Sequence, residues 1–180
     1  INGSMDISQR GTSFTSLGNG DTKYTLDRMQ YKEDGDTSSE ITISQDSTVP
    51  SGQGFSKSLK IDVTTEDTAP GACDREWLNT VFEGQNLQYL KKGTSNAQKL
   101  TLSFWIRSNK TGTYTVSFFD NDNTRAVSAE YSINTADTWE KKTITFPADT
   151  SGAFDNDVNK SLELQFTFLA GSNFNDGTFS

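Results

Sequence analysis

The chain has 180 residues, of which 32% are hydrophobic and 12 are phenylalanine, and its 16 basic against 24 acidic residues give a net charge of −8. Such an acidic chain repels phosphate backbones and disfavours nucleic acid; the absence of histidine removes Ser-His-Asp and Cys-His catalysis and histidine metal triads. Cys73 has no second cysteine to pair with, no stretch reaches the ~18 apolar residues of a membrane span, Ile1 opens no basic, apolar leader, and no Gly-rich phosphate or dinucleotide loop is present.

In chain order, Thr22 to Tyr31 carries Tyr24, Leu26, Met29 and Tyr31 with a phase break at Asp27 and Arg28, which reads as one strand with a bulge. Glu40 to Gln45 and Ser56 to Val63 alternate cleanly through Ile41, Ile43, Leu59, Ile61 and Val63, with a Pro50, Gly52 and Gly54 turn between them. Thr65 to Asp74 reads as a long connection, and Trp77 to Glu83 as a further strand. Leu87 and Leu90 stand three apart, and Lys91 and Lys92 precede Gly93. That spacing predicts one short helix near residues 85 to 91, with cations at its negative end and a glycine cap.

From Leu100 onward the period is two. Leu100, Leu102, Phe104 and Ile106 alternate with Thr101, Ser103, Trp105 and Arg107; the sets Tyr114, Val116, Phe118, then Val127, Ala129, Tyr131, Ile133, then Ile144, Phe146, then Leu162, Leu164, Phe166, Phe168 follow, separated by turn-rich residues. The fold class this predicts is all-β: a β-sandwich or jelly roll in one domain over 1–180, with two antiparallel sheets face to face. Phe104, Ile106, Val116, Phe118, Ile144, Phe146, Leu164 and Phe166 are its expected core, in which aromatic rings supply much of the buried area. Residues 171–180 form a turn and stop where another strand would begin, so more chain is expected beyond Ser180.

Two features suggest chemistry. The runs Asp120 to Asn123 and Asp155 to Asp157 are oxygen-rich, which suits either a hard cation such as calcium or a hairpin turn whose side chains bond their own backbone; the second reading is favoured, and no metal or other cofactor is assigned. The better clue is Trp105, which points away from Phe104 and Ile106 and shares a polar face with Thr101, Ser103 and Arg107. A flat indole beside hydrogen-bonding groups is what a sugar ring would select. Trp105 and Arg107, with Trp139 and Tyr89, are therefore the candidate ligand-binding residues, Trp77 being a weaker one, and each aromatic also suits a core or inter-chain contact. No carboxylate pair stands out for glycoside hydrolysis, so no catalytic residue is assigned.

The opening INGSMDISQRGTSF followed by YTLDRMQY resembles the start of phage tail-fibre and related virion proteins, with a strand ending in the QRGTSF segment and Met29 where their pattern has tryptophan. GQNLQYLKKGTSNAQKLTLSFWIRSNKTGTYTVSFFDNDN and TWEKKTITFPADTSGAFDND resemble the carbohydrate-binding-module-like jelly roll of the same proteins. The resemblance implies a non-enzymatic virion surface component, often a homotrimer, that contributes to host attachment alongside other virion proteins, with a host-surface glycan as the expected ligand. A head fibre or capsid decoration protein, or a glycan-binding module of a secreted hydrolase, shares these features.

Overall fold

The computed structural model of the chain describes residues 2–174. They form an all-β protein of antiparallel sheets, organised as two compact units, one from residues 2–79 and 167–174 and the other from Thr80–Phe166.

In the first unit, β1 (Ser13–Leu17), β4 (Glu40–Asp46) and β5 (Ser58–Thr65) make a sheet in the order β1-β4-β5, while β2 (Thr22–Tyr24) and β3 (Gln30–Asp34) run beside the start of β6 (Arg75–Glu83). Phe14, Leu17, Ile41 and Ile43 from one layer and Tyr31 and Leu78 from the other are buried together, with Leu59, Ile61 and Phe168 packed against them. This is a small sandwich with a mostly aliphatic core. Phe14 and Leu17 are three apart, a spacing that period two cannot send to one face. The register supplies the reason: Phe14 pairs with Ile43 but Leu17 with Ile41, so β1 has one extra residue, and Ser16 takes it up at a φ of 53°.

The stretch from Thr22 to Tyr31 is a hairpin rather than one bulged strand. Thr22 pairs with Lys32 and Tyr24 with Gln30, and the break at Asp27 and Arg28 is the turn itself, with Arg28 at φ 72° and the Thr25 N–H donating to the Met29 carbonyl at 2.9 Å. The QRGTSF segment likewise begins a strand instead of ending one, since β1 starts at Ser13.

In the second unit β7 (Leu100–Ile106) pairs with β10 (Glu140–Phe146), and β8 (Gly112–Asp120) lies between β9 (Arg125–Ile133) and β11 (Lys160–Ala170). Val116, Phe118, Tyr131, Phe146 and Leu164 are buried, and Phe104, Ile106, Ile144 and Phe166 pack against them. All eight expected core residues therefore meet in one cluster, so the alternation and its register hold. Edge-to-face rings fill it: Phe104 lies 5.1 Å from both Tyr131 and Phe166, and Phe118 lies 4.9 Å from Phe146. Such pairs add about 0.5–1.5 kcal/mol each beyond their burial.

The expected helix near 85–91 is instead two 3-10 turns, Gly84–Asn86 and Gln88–Leu90. Leu87 and Leu90 are buried as expected, but the left-handed residue that closes the second turn is Lys91 at φ 51°. Gly93, the expected cap, packs at φ 80° so close to Ala153 that a side chain's Cβ would fall 2.6 Å from its backbone nitrogen. A glycine is required there by crowding, not by a helix end. A third 3-10 turn, Ser172–Phe174, lies in the segment expected to form a turn, and the rest of that segment is outside the described residues.

Candidate functional site

The outward face of the β7–β10 pair is set by its register. Trp105 lies opposite Lys141, Ser103 opposite Thr143, and Thr101 opposite Thr145. The opposite parity, carrying Leu102, Phe104 and Ile144, packs on the core, so these six side chains point away from it. Trp105 is half-buried, while Thr101, Ser103, Lys141, Thr143 and Thr145 are exposed. Hydroxyl pairs tie the two strands: Thr101 and Thr145 Oγ1 are 3.0 Å apart, and Thr143 donates to Ser103 at 3.5 Å.

Arg107 follows β7 by one residue and Trp139 precedes β10 by one, so extending the register brings both to the end of the same face. Arg107 is held there, its Nε donating to the Asp137 carbonyl at 2.8 Å and its Nη2 pairing with the Asp137 carboxylate at 3.1 Å. Trp139 is half-buried, and its indole N–H is enclosed without a hydrogen-bond partner. Just behind, Glu140 on the inner parity is held down to about 2 by the Lys142 ammonium and the N–H groups of Thr135 and Asn134. Tyr89 is 69% exposed, but it sits on the second 3-10 turn rather than on this face. Trp77 is buried on β6 with the Arg75 guanidinium 3.9 Å above its ring, a core position.

The Asp120–Asn123 run is the turn of the β8–β9 hairpin, closed by its own carboxylate, whereas Asp155–Asp157 lies not in a hairpin but in the connection from β10 to β11, strands of different sheets. Asp120 Oδ1 accepts the N–H groups of Asp122 and Asn123 at 3.0 and 3.1 Å, and Asp122 accepts that of Asp155 at 3.0 Å. Among the described residues no group of three or more acidic or cysteine side chains is placed to hold a metal ion.

One cluster was invisible to sequence reasoning. Lys92, read there as a helix-end cation, turns inward and lies 2.6 Å from Asp120 and 3.2 Å from Asp149, and Arg125 makes two hydrogen bonds to Asp149 at 3.2 and 3.3 Å. These four side chains line part of a cavity of about 230 Å³ whose other wall includes Phe118, Phe146, Phe154 and Leu162. Burial pushes the Asp149 carboxyl up, but the Ser151 N–H, Lys92 and Arg125 outweigh it and leave it below its ordinary value. Since the charges satisfy one another, the cluster reads as a structural tie between residues far apart in sequence. No local spacing signals it.

No family model and no curated protein matches the sequence. Among solved structures, the chain is similar over 85% of its length to the enzymatically active domain of bacteriophage CBA120 tailspike protein 4, at 16% identity, a TM-score of 0.49 and 19% coverage of that chain. It is also similar over 86% of its length to the carbohydrate-binding and catalytic modules of Clostridium thermocellum endo-1,4-beta-D-xylanase 10B, at 12% identity, a TM-score of 0.30 and 24% coverage of that chain. The chain thus spans about a fifth to a quarter of the length of either structure.

Proposed function

We propose that this chain is a non-enzymatic part of a phage virion appendage that contributes to host-surface attachment, and that the outward face of β7 and β10 takes a surface glycan. The observation that carries the reading is Trp105, a half-buried indole on a sheet face otherwise made of exposed hydroxyls and the Lys141 ammonium. An indole offers flat apolar area to one side of a sugar ring, while the Lys141 ammonium directly across the ladder and hydroxyls two residues along the strands orient its polar substituents. The opening and central motifs support the virion context, and association as a cyclic homotrimer belongs to the same reading.

Trp105→Ala tests it. In a stacked site the change costs about 2 kcal/mol of binding, roughly thirtyfold in Kd, with little effect on the melting temperature. A glycan array and thermal melts on both proteins give the two readouts. An unchanged array profile, or an intact chain that binds no glycan, leaves the domain as a spacer; a large fall in melting temperature makes Trp105 a packing residue.

A further inference from the structure

We infer that β5 is a self-recognition edge that pairs antiparallel with the β5 of a second copy, centred on Ile61. Among the described residues β5 is the open side of the β1-β4-β5 sheet, and outside its ladder with β4 its backbone takes part in no hydrogen bond between main-chain groups. It is long, eight residues, and uninterrupted by proline or glycine. The other outer strands of the first unit are blunted in the usual ways: β1 is broken by the bulge at Ser16, and β2 has three residues.

Register decides which pairing forms. In a two-fold antiparallel pair centred on Ile61, Leu59 lies opposite the partner's Val63, Lys60 opposite the partner's Asp62, and Ser58 opposite the partner's Thr64. Every apolar side chain of Leu59, Ile61 and Val63 then meets an apolar one, and both charges meet their opposite. Sliding the strands by two residues sets Asp62 on Asp62 in one direction and Lys60 on Lys60 in the other, and a one-residue slip sets Lys60 against Ile61. One register is selected by charge and apolar pattern together. Lys60 and Asp62 are already aligned on one face, 3.2 Å apart with side chains 51% and 56% exposed. Val63 is 57% exposed at the end of the inward-facing row that begins with the partly buried Leu59 and Ile61, and the partner's Leu59 would cover it. A lysine alone on an edge blocks pairing; a lysine whose mirror position holds an aspartate specifies it.

The measurement is the copy number of the chain by sedimentation equilibrium up to about 1 mM, a concentration that reads association as weak as about 4 kcal/mol. A two-fold contact gives two copies by itself, or six where a cyclic trimer also forms. Lys60→Glu turns both cross-strand pairs repulsive and halves the copy number, weakening association roughly tenfold or more. Asp62→Lys does the same. Combining the two reversals restores attraction and the original assembly, with all three variants keeping the wild-type melting temperature because both side chains face solvent. A monomer or a bare trimer throughout overturns the inference. So does a single reversal that leaves the copy number unchanged, or a combined reversal that fails to recover it.

Discussion

The two units bury ionised groups by opposite means. In the second, Lys92 and Asp120, with side chains 10% and 5% exposed, form an ion pair that Asp149 and Arg125 extend toward solvent. In the first, Glu33 and Glu76 are 4% and 1% exposed and stand directly opposite each other on β3 and β6. Among the described residues neither forms an ion pair with Lys or Arg. Instead the Thr37 and Ser39 hydroxyls donate to Glu76, and the N–H groups of Gly20 and Thr37 donate to Glu33. Like charges face to face oppose folding. Burial pushes the Glu76 carboxyl up, the two hydroxyls pull it back, and the charge of Glu33 adds to the rise. Buried charge is thus a tie in one unit and a standing cost in the other, so the same kinds of substitution should act with opposite sign.

The largest effect is expected from Asp120→Ala. It strips the buried Lys92 ammonium of its nearest counter-charge and removes the acceptor of the turn N–H groups, a loss of about 3–5 kcal/mol in urea denaturation. A loss under about 1 kcal/mol would mean that Asp149 alone suffices for Lys92 and would erase the contrast.

Tyr31→Phe should act the other way. The Tyr31 ring is fully buried in the first core, its hydroxyl has no hydrogen-bond partner, and burial with the charges of Glu76, Glu33 and Asp21 pushes its ionisation well above the ordinary value. Removing the oxygen recovers its desolvation cost, a gain of about 1–3 kcal/mol by the same denaturation. A destabilised variant would show that the hydroxyl has a partner in solution.

The smallest effects are in pH dependence, and they sharpen the comparison most. Glu76 has a folded value raised above 4.5, so its penalty is absent below that value, grows as pH rises through the window up to the folded value, and stays constant above it. Glu76→Gln keeps an acceptor for both hydroxyls and should raise the melting temperature at neutral pH while leaving it unchanged near about pH 4. Asp149 has a folded value lowered below 3.8, so its contribution is present above 3.8 and is lost as pH falls toward the folded value. Asp149→Asn should lower the melting temperature at neutral pH, with the gap closing in acid. Parallel pH profiles for the two variants would refute the opposite signs.

The candidate face was legible in the sequence because it depends on parity alone: Trp105 and Ser103 alternate with Phe104 and Leu102, so burial of one set exposes the other. Lys141 opposite Trp105 was not legible, because that pairing is fixed by the register of two strands separated by more than thirty residues. The hairpin at Asp27 and Arg28 was visible as a break in phase, yet a bulge and a turn leave the same trace in one strand's pattern. Only the pairing of Tyr24 with Gln30 separates them.

Alternation along the chain was enough for the all-β class, the eight core side chains of the second unit and the inward and outward faces of β7 and β10, since the pleat of an unbroken strand sends neighbours to opposite sides whatever the strand pairs with. Tertiary structure alone decided that Lys92 reaches Asp120, that Glu33 confronts Glu76, and that Ser16 adopts a left-handed backbone so that Leu17 points inward. Those outcomes depend on which strands become neighbours and in what register. That choice is made by the collective burial of whole faces, which no single window of sequence contains.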